Sequence, residues 1–268
     1  MTAFDDAERR MRAGTAEAFG RSYARVCAYP VSLLLDAAGV GAGANVLDAG
    51  TGTGTVAVAA CARGATVAAV DADPDMVRLA REAAPGAQVS VATLPRLPFA
   101  DEQFDAVVAN FVLNHVGRPL AALRELRRVV RPGGRVAATI WAHPQGHGQK
   151  LIGRAVRAAG LTRPGDVPSL APEDDFPRTA DGFAGLLAAA GLAVPSSQKI
   201  EWDHRVTAAD WWSGAAAGVS FFGHLIVRQP PAKIAEIKRH FDDLSSEFAA
   251  PGGTLALPHA ALLATGRA

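Results

Sequence analysis

Val46-Leu47-Asp48-Ala49-Gly50-Thr51-Gly52-Thr53-Gly54-Thr55 is the stretch that decides the fold. An apolar run ends in an aspartate, glycines follow at alternate positions, and a small-residue helix, Val56 to Ala62, starts at once. Strand, glycine turn and helix in that order make the opening unit of an open α/β sheet. Glycines there let the backbone turn tightly and approach a ligand that a Cβ would strike.

The spacing is G-x-G-x-G, and Thr55 stands where the dinucleotide fingerprint G-x-G-x-x-G wants its third small residue. Asp48 is more telling. A carboxylate at the mouth of a loop meant for pyrophosphate would repel it, whereas it would attract an ammonium or a sulfonium. The next strand, Ala65 to Val70, ends in Asp71, placed to accept hydrogen bonds from both ribose hydroxyls. Adenosine plus a positive charge describes S-adenosylmethionine better than NAD.

VLDAGTGTG followed by VAAVDADPDMV resembles the first two motifs of the class I S-adenosylmethionine-dependent methyltransferases. LPRLPFADEQFDAVVANFVLNHV and LRRVVRPGGRVAATIW are similar to later motifs of their small-molecule branch, which includes the ubiquinone/menaquinone-biosynthesis methyltransferases. The likeness runs through residues 40 to 142 in consecutive order. It implies an α/β, Rossmann-like seven-stranded sheet ordered 3-2-1-4-5-7-6, the last strand antiparallel, with helices on both faces and a helical cap. A single methyltransferase domain would fill residues 1–268. Within it, 1–40 form a helical cover, 41–142 the cofactor half, and 143–268 the substrate and cap half with the final strands.

A chain of 268 residues suffices for one such domain with a real core. The formal net charge is +1 and no Arg/Lys stripe is present, which disfavours a nucleic-acid partner. The two cysteines, Cys27 and Cys61, make no disulfide framework, and Cys61 reads as a small buried residue. Early acids and the lack of a long apolar run argue against a secretory signal and a membrane span. The expectation is a cytoplasmic protein, monomer or homodimer, with no metal and a small-molecule acceptor.

Candidate residues follow the strand ends. Asp48, Asp71, Thr93 and Asn110 fall there one per strand, where open α/β sheets bind ligands. The resemblance puts Gly50, Gly52, Gly54, Ala72, Met76, Leu94, Phe111 and His115 around the cofactor with them. It often has an acidic residue where Thr93 stands, so this chain would meet the adenine amino group with a hydroxyl. It also implies that the segment before residue 40 lies over cofactor and substrate. Asp5 to Val26 reads as one helix there, and Pro30 to Ala38 as another. The only tyrosines lie in this segment, Tyr23 as a cofactor candidate and Tyr29 as a substrate candidate. Trp141, Trp211, Phe221 and Phe222 suggest a cap over a flat or greasy acceptor.

Methyl transfer from a sulfonium is an in-line displacement, so the protein mainly holds nucleophile, methyl carbon and sulfur collinear and dry. For a hydroxyl or ammonium nucleophile a base helps. His143 heads the candidates because its loop follows the fifth strand, with His115 next and His147 and His224 behind. The sequence therefore points to S-adenosylmethionine-dependent methyl transfer to an O, N or C nucleophile, in secondary or cofactor metabolism, leaving S-adenosylhomocysteine. The alternative is a binder of the same fold that transfers no methyl, acting as a cyclase, decarboxylase or regulatory binder. A third reading, an NAD-linked dehydrogenase, is opposed by Asp48 and the missing third glycine.

Overall fold

A computed structural model describes residues 2–165 and 167–268. Four helices come first: α1 (Ala3–Arg12), α2 (Ala16–Arg21), α3 (Ala24–Cys27) and α4 (Val31–Ala37). The alternating part follows as β1 (Asn45–Ala49), α5 (Thr55–Ala62), β2 (Thr66–Asp71), α6 (Pro74–Ala83) and β3 (Gln88–Val91). It continues through β4 (Phe104–Asn110), α7 (Pro119–Val129) and β5 (Val130–Trp141). The remainder holds α8 (Leu151–Ala158), α9 (Ala180–Ala189) and β6 (Ala193–Val206), then α10 (Ala208–Ala216), α11 (Ser220–Val227) and α12 (Pro231–Ser245). A two-residue β7 (Ala249–Ala250) and the long β8 (Thr254–Arg267) come last.

The strands form one sheet in the order β3-β2-β1-β4-β5-β8-β6, with β7 paired to β8 off the main path. β1 to β5 run parallel, while β8 lies antiparallel between β5 and β6. The expected order and the antiparallel insertion are found. The strand count is eight rather than seven, because the turn after α12 adds the short β7.

Successive residues of a strand face opposite sides of the sheet. Leu47, Val107 and Ile140 therefore meet α7 and α9, through Leu123, Leu126, Phe183 and Leu187. Their neighbours Val46, Val108 and Ala137 meet α4, α5 and α6, through Leu34, Leu35, Ala60 and Ala80. A third apolar cluster joins Val26 to Leu151, Trp211, Ile226, Phe241 and Leu257, so that α8 and α10 to α12 make a cap with a core of its own.

The N-terminal segment departs from the single helix expected over 5–26. It breaks at Ala13-Gly14, where Gly14 takes φ +74°, and again at Ser22, whose Oγ donates to the Ala18 carbonyl at 2.6 Å. Gly14 ends a helix readily because the left-handed conformation costs it nothing. Cys61 is also less buried than expected, resting half-exposed near Gly86.

Candidate functional site

The carboxyl ends of β1, β2 and β4 open into a cavity of about 680 Å³, closed from above by α1, α2 and the α11 end of the cap. Its floor is the glycine loop. The N–H groups of Gly50 and Thr51 donate to the Val70 carbonyl at 2.8 and 2.9 Å, tying the loop to the end of β2. Gly52 N–H donates to Asp71 Oδ2 at 2.8 Å, and Asp73 N–H to Oδ1 of the same carboxylate at 3.0 Å. Gly52 takes φ +55°, and a Cβ there would meet only Phe19 at 3.9 Å, so the space over it is kept for something else. Gly50 also lines the cavity and takes φ +76°, and a Cβ there would come within 2.4 Å of Val112.

These bonds bear on the ligand. A pyrophosphate needs free loop N–H groups and no anion beside them. Here three successive N–H groups are committed to the protein, one of them to a carboxylate. A neutral ribose or a cation suits this floor; a diphosphate does not. Asp71 is half-buried, and burial raises its pKa despite the two N–H groups that stabilise its charge.

Asp48 corrects the sequence reading. It lies within β1, paired to Ala69 and Val108, and its side chain is 0% exposed beneath the loop rather than at the mouth. Oδ2 accepts the Thr51 hydroxyl at 2.6 Å, and Oδ1 has no partner. Burial pushes its pKa up to about 7. Gly54 is likewise outside the cavity. It takes φ +88° and lets α5 close on α6, since a Cβ would lie 3.1 Å from the Ala80 Cα.

Ala72, Met76, Thr93 and Leu94 line the side of the cavity near β2 and β3. Asn110 also lines it, yet its amide is mostly spent on the fold: Oδ1 accepts the Thr139 hydroxyl at 2.6 Å and Nδ2 donates to the Cys27 carbonyl at 2.9 Å. Phe111 takes φ +57°, a strained value for a bulky residue, held by two bonds from its N–H to Thr139. Its ring stacks on Trp141 with centroids 3.9 Å apart. Both rings line the cavity.

α1 carries the charge over the mouth. Asp5 anchors it by accepting Gly117 N–H at 2.6 Å. Glu8 Oε2 lies 2.8 Å from His115 Nδ1, and Arg12 Nη2 lies 2.7 Å from the same nitrogen. One nitrogen cannot donate to Glu8 and accept from Arg12 at once, so the proton on His115 decides which neighbour it bonds. Burial would raise the Glu8 pKa, but His115 and Arg12 outweigh it and hold the carboxyl down to about 2. Burial and the Arg12 charge hold His115 below its ordinary value.

The cap side is aromatic. Tyr23 packs on Trp211 with centroids 4.8 Å apart, and Phe221 and Phe222 complete that wall. Ser220 at the start of α11 takes φ +72° beside Tyr23. Two candidates fall outside. Tyr29 is 46% exposed, stacks on Trp202 and does not line the cavity. His143 is exposed, with its N–H bonded to the Arg178 carbonyl, and does not line the cavity, because the chain turns away directly after β5. His147 and His224 do not line it either. The sequence reading missed Glu8, Arg12, Gln149 and His259, all of which do. His259 had one local signal, a lone ring nitrogen pair inside the apolar run Leu255 to Leu263.

Residues 47–138 match the family model of a methyltransferase domain. A demethylmenaquinone methyltransferase from Renibacterium salmoninarum is 37% identical over 112 residues, 42% of this chain and 47% of that protein. The match thus spans about half the length of that relative. Another protein of that name, from Mycobacterium sp. strain KMS, is 31% identical over 198 residues, 72% of this chain and 80% of its own. In fold, the chain is similar to a solved phosphoethanolamine N-methyltransferase from Haemonchus contortus. The TM-score is 0.57 at 15% identity, over 100% of this chain and 60% of that one.

Proposed function

The chain belongs to the class I S-adenosylmethionine-dependent methyltransferases, and from that premise we propose that it methylates a small-molecule acceptor bound between the sheet and the cap. The observation that carries this reading is the floor of the cavity: Asp71 beside a glycine loop whose Gly50, Thr51 and Gly52 N–H groups are already bonded, with open space over Gly52. That floor suits a nucleoside bearing positive charge. When bound, the cofactor supplies a methyl group on a sulfonium, electrophilic without further activation.

The residues of the chain hold and orient. In this proposal Asp71 takes the ribose hydroxyls, Met76, Thr93 and Leu94 the adenine, and Gly50, Gly52 and Ala72 the near approach of the ligand. Asp48 acts from below, by shaping the loop through Thr51 and by its negative potential when ionised. Tyr23, Phe111, Trp141, Trp211, Phe221 and Phe222 exclude water from the reacting centre. His115 serves as a base only when its Nδ1–H is donated to Glu8, which leaves Nε2 with a lone pair. Arg12, by donating to Nδ1 instead, holds the opposite tautomer. His143 is dropped as a base, since it lies outside the cavity.

The finer parts of the reading are a role in secondary or cofactor metabolism, a cytoplasmic setting, a monomer or homodimer, and no nucleic-acid partner. Two free cysteines and a net charge of +1 support the setting and the choice of partner. No helix among the described residues is long and apolar enough to cross a membrane. The non-methylating alternative gains nothing from the relatives reported above, which bear methyltransferase names. The test is calorimetric titration with S-adenosylmethionine, S-adenosylhomocysteine and NADH. Micromolar binding of the first two and none of the third is expected; binding of NADH alone would overturn the reading.

A further inference from the structure

The charged residues that line the cavity are Asp5, Glu8, Arg9, Arg12, Asp71 and Asp73. All come from α1 or the end of β2. From residue 74 onward the described wall contains no Asp, Glu, Lys or Arg. Its polar side chains on the cap side include Gln149 and His259, set among Trp141, Trp211, Phe221 and Phe222. An acceptor with a carboxylate or an ammonium would find no counter-charge there, and its burial would be costly.

Gln149 and His259 are fixed by the backbone. Gln149 Oε1 accepts Gly146 N–H at 3.3 Å and Ala260 N–H at 3.5 Å, which leaves its NH₂ as the uncommitted end. His259, next to Ala260 on β8, is 2% exposed and has its Nδ1 2.8 Å from the Leu257 carbonyl. A carbonyl only accepts, so Nδ1 carries the proton and Nε2 the lone pair. Among the described residues no donor reaches Nε2. Trp211 stands edge-on to the ring at 5.5 Å, and Trp202 stacks against it at 5.9 Å, so its orientation is set on two sides.

We propose that His259 Nε2 and the Gln149 amide form a hydroxyl-recognition pair, so that the acceptor is a neutral planar ring carrying an O–H that donates to His259 and accepts from Gln149. The proposal rests on the methyltransferase reading for the identity of the neighbouring ligand, whereas the place of both residues on the cavity wall and their bonds to the backbone do not. Burial holds the His259 pKa down to about 4, so the ring stays a neutral acceptor at neutral pH. The pair determines specificity; it is assigned no proton transfer. Leaving either partner without its hydrogen bond on burial of an analogue is what produces discrimination.

The test uses the full chain and three probes of one shape: 4-phenylphenol, its methyl ether 4-methoxybiphenyl, and biphenyl-4-carboxylate. Each is measured by equilibrium dialysis with and without S-adenosylhomocysteine. The phenol is expected to bind at least ~10-fold more tightly than the ether or the carboxylate, the worth of one buried hydrogen bond. His259→Phe, which keeps a ring in place, should bring phenol and ether to equal affinity, and Gln149→Leu should reduce the ratio. Affinity for S-adenosylhomocysteine should not change in either variant, which also reports that they fold. An unaltered ratio in His259→Phe, a stronger carboxylate, or no preference in the unmodified chain would overturn the proposal. Failure of S-adenosylhomocysteine to bind the unmodified chain would instead overturn the cofactor reading, and the probes alone would still report on the pair.

Discussion

Replacing Asp48 by Asn should reverse its effect on stability between acid and alkaline pH. Asp48 is 0% exposed, and its pKa is raised from 3.8 to about 7. Between those values the folded chain keeps a proton that the unfolded chain has lost, so stability falls as pH rises through that window. At about 1.4 kcal/mol per pH unit, the ionised form costs about 4 kcal/mol once the pH is above 7. Asparagine never ionises and can still accept the Thr51 hydroxyl. Its NH₂, however, would stand where Oδ1 has no partner, at a cost of about 1–3 kcal/mol. At pH 4.5 the parent has already lost about 1 kcal/mol to that ionisation difference, so the variant should be less stable by at most about 2 kcal/mol there and more stable by about 1–3 kcal/mol at pH 8. Urea unfolding of the ligand-free protein, followed by circular dichroism at pH 4.5, 6 and 8, measures the difference directly. Two curves that stay parallel over that range would mean Asp48 is ionised throughout and the argument from burial is wrong.

Asp71→Ala should weaken S-adenosylhomocysteine binding by about 1.5–3 kcal/mol, the worth of charge-assisted hydrogen bonds, and calorimetry showing normal affinity would remove Asp71 from the ribose. Gly54→Val should lower stability by about 1–3 kcal/mol, because it strains a φ of +88° and drives a Cβ toward Ala80; an unchanged urea midpoint would mean that α5 can shift away from α6. Glu8→Gln removes the anion that raises the His115 pKa, so the His115 ring protons should titrate at lower pH in nuclear magnetic resonance, and an unmoved midpoint would sink the contact. His143→Ala should leave turnover and cofactor affinity as they were; a drop in kcat alone would return His143 to the site.

The cofactor half was legible because its signals are local. The glycines sit where a strand must become a helix, and Asp71 ends its strand, so both positions follow from chain order. Asp48 misled for a physical reason: it is still inside the ladder, and the alternation of the strand turns its side chain under the loop. His143 misled because proximity to a strand end does not fix the direction of the next loop. Tyr29 misled because its ring is taken up by Trp202 and His204, on a strand far along the chain, instead of reaching the cavity. Glu8, Arg12 and Gln149 were invisible for a shared reason. They reach the cavity through contacts 100 or more positions apart, Glu8 and Arg12 to His115 and Gln149 to Ala260. No window of sequence contains both ends of such a pair.

The antiparallel insertion of β8 has a consequence for the order of assembly. β1 to β5 can zip into a parallel block as they leave the ribosome, each new strand finding a neighbour already made. β6 has no such neighbour: in the finished sheet its pairing partner is β8, some fifty positions later. Until β8 arrives, a 14-residue strand with open hydrogen-bonding edges waits on the nascent chain, and the outer side of β5 waits with it. The alternating charges Lys199, Glu201, Asp203 and Arg205 then act as gatekeepers during synthesis, keeping β6 from pairing with another copy while its own partner is still being made.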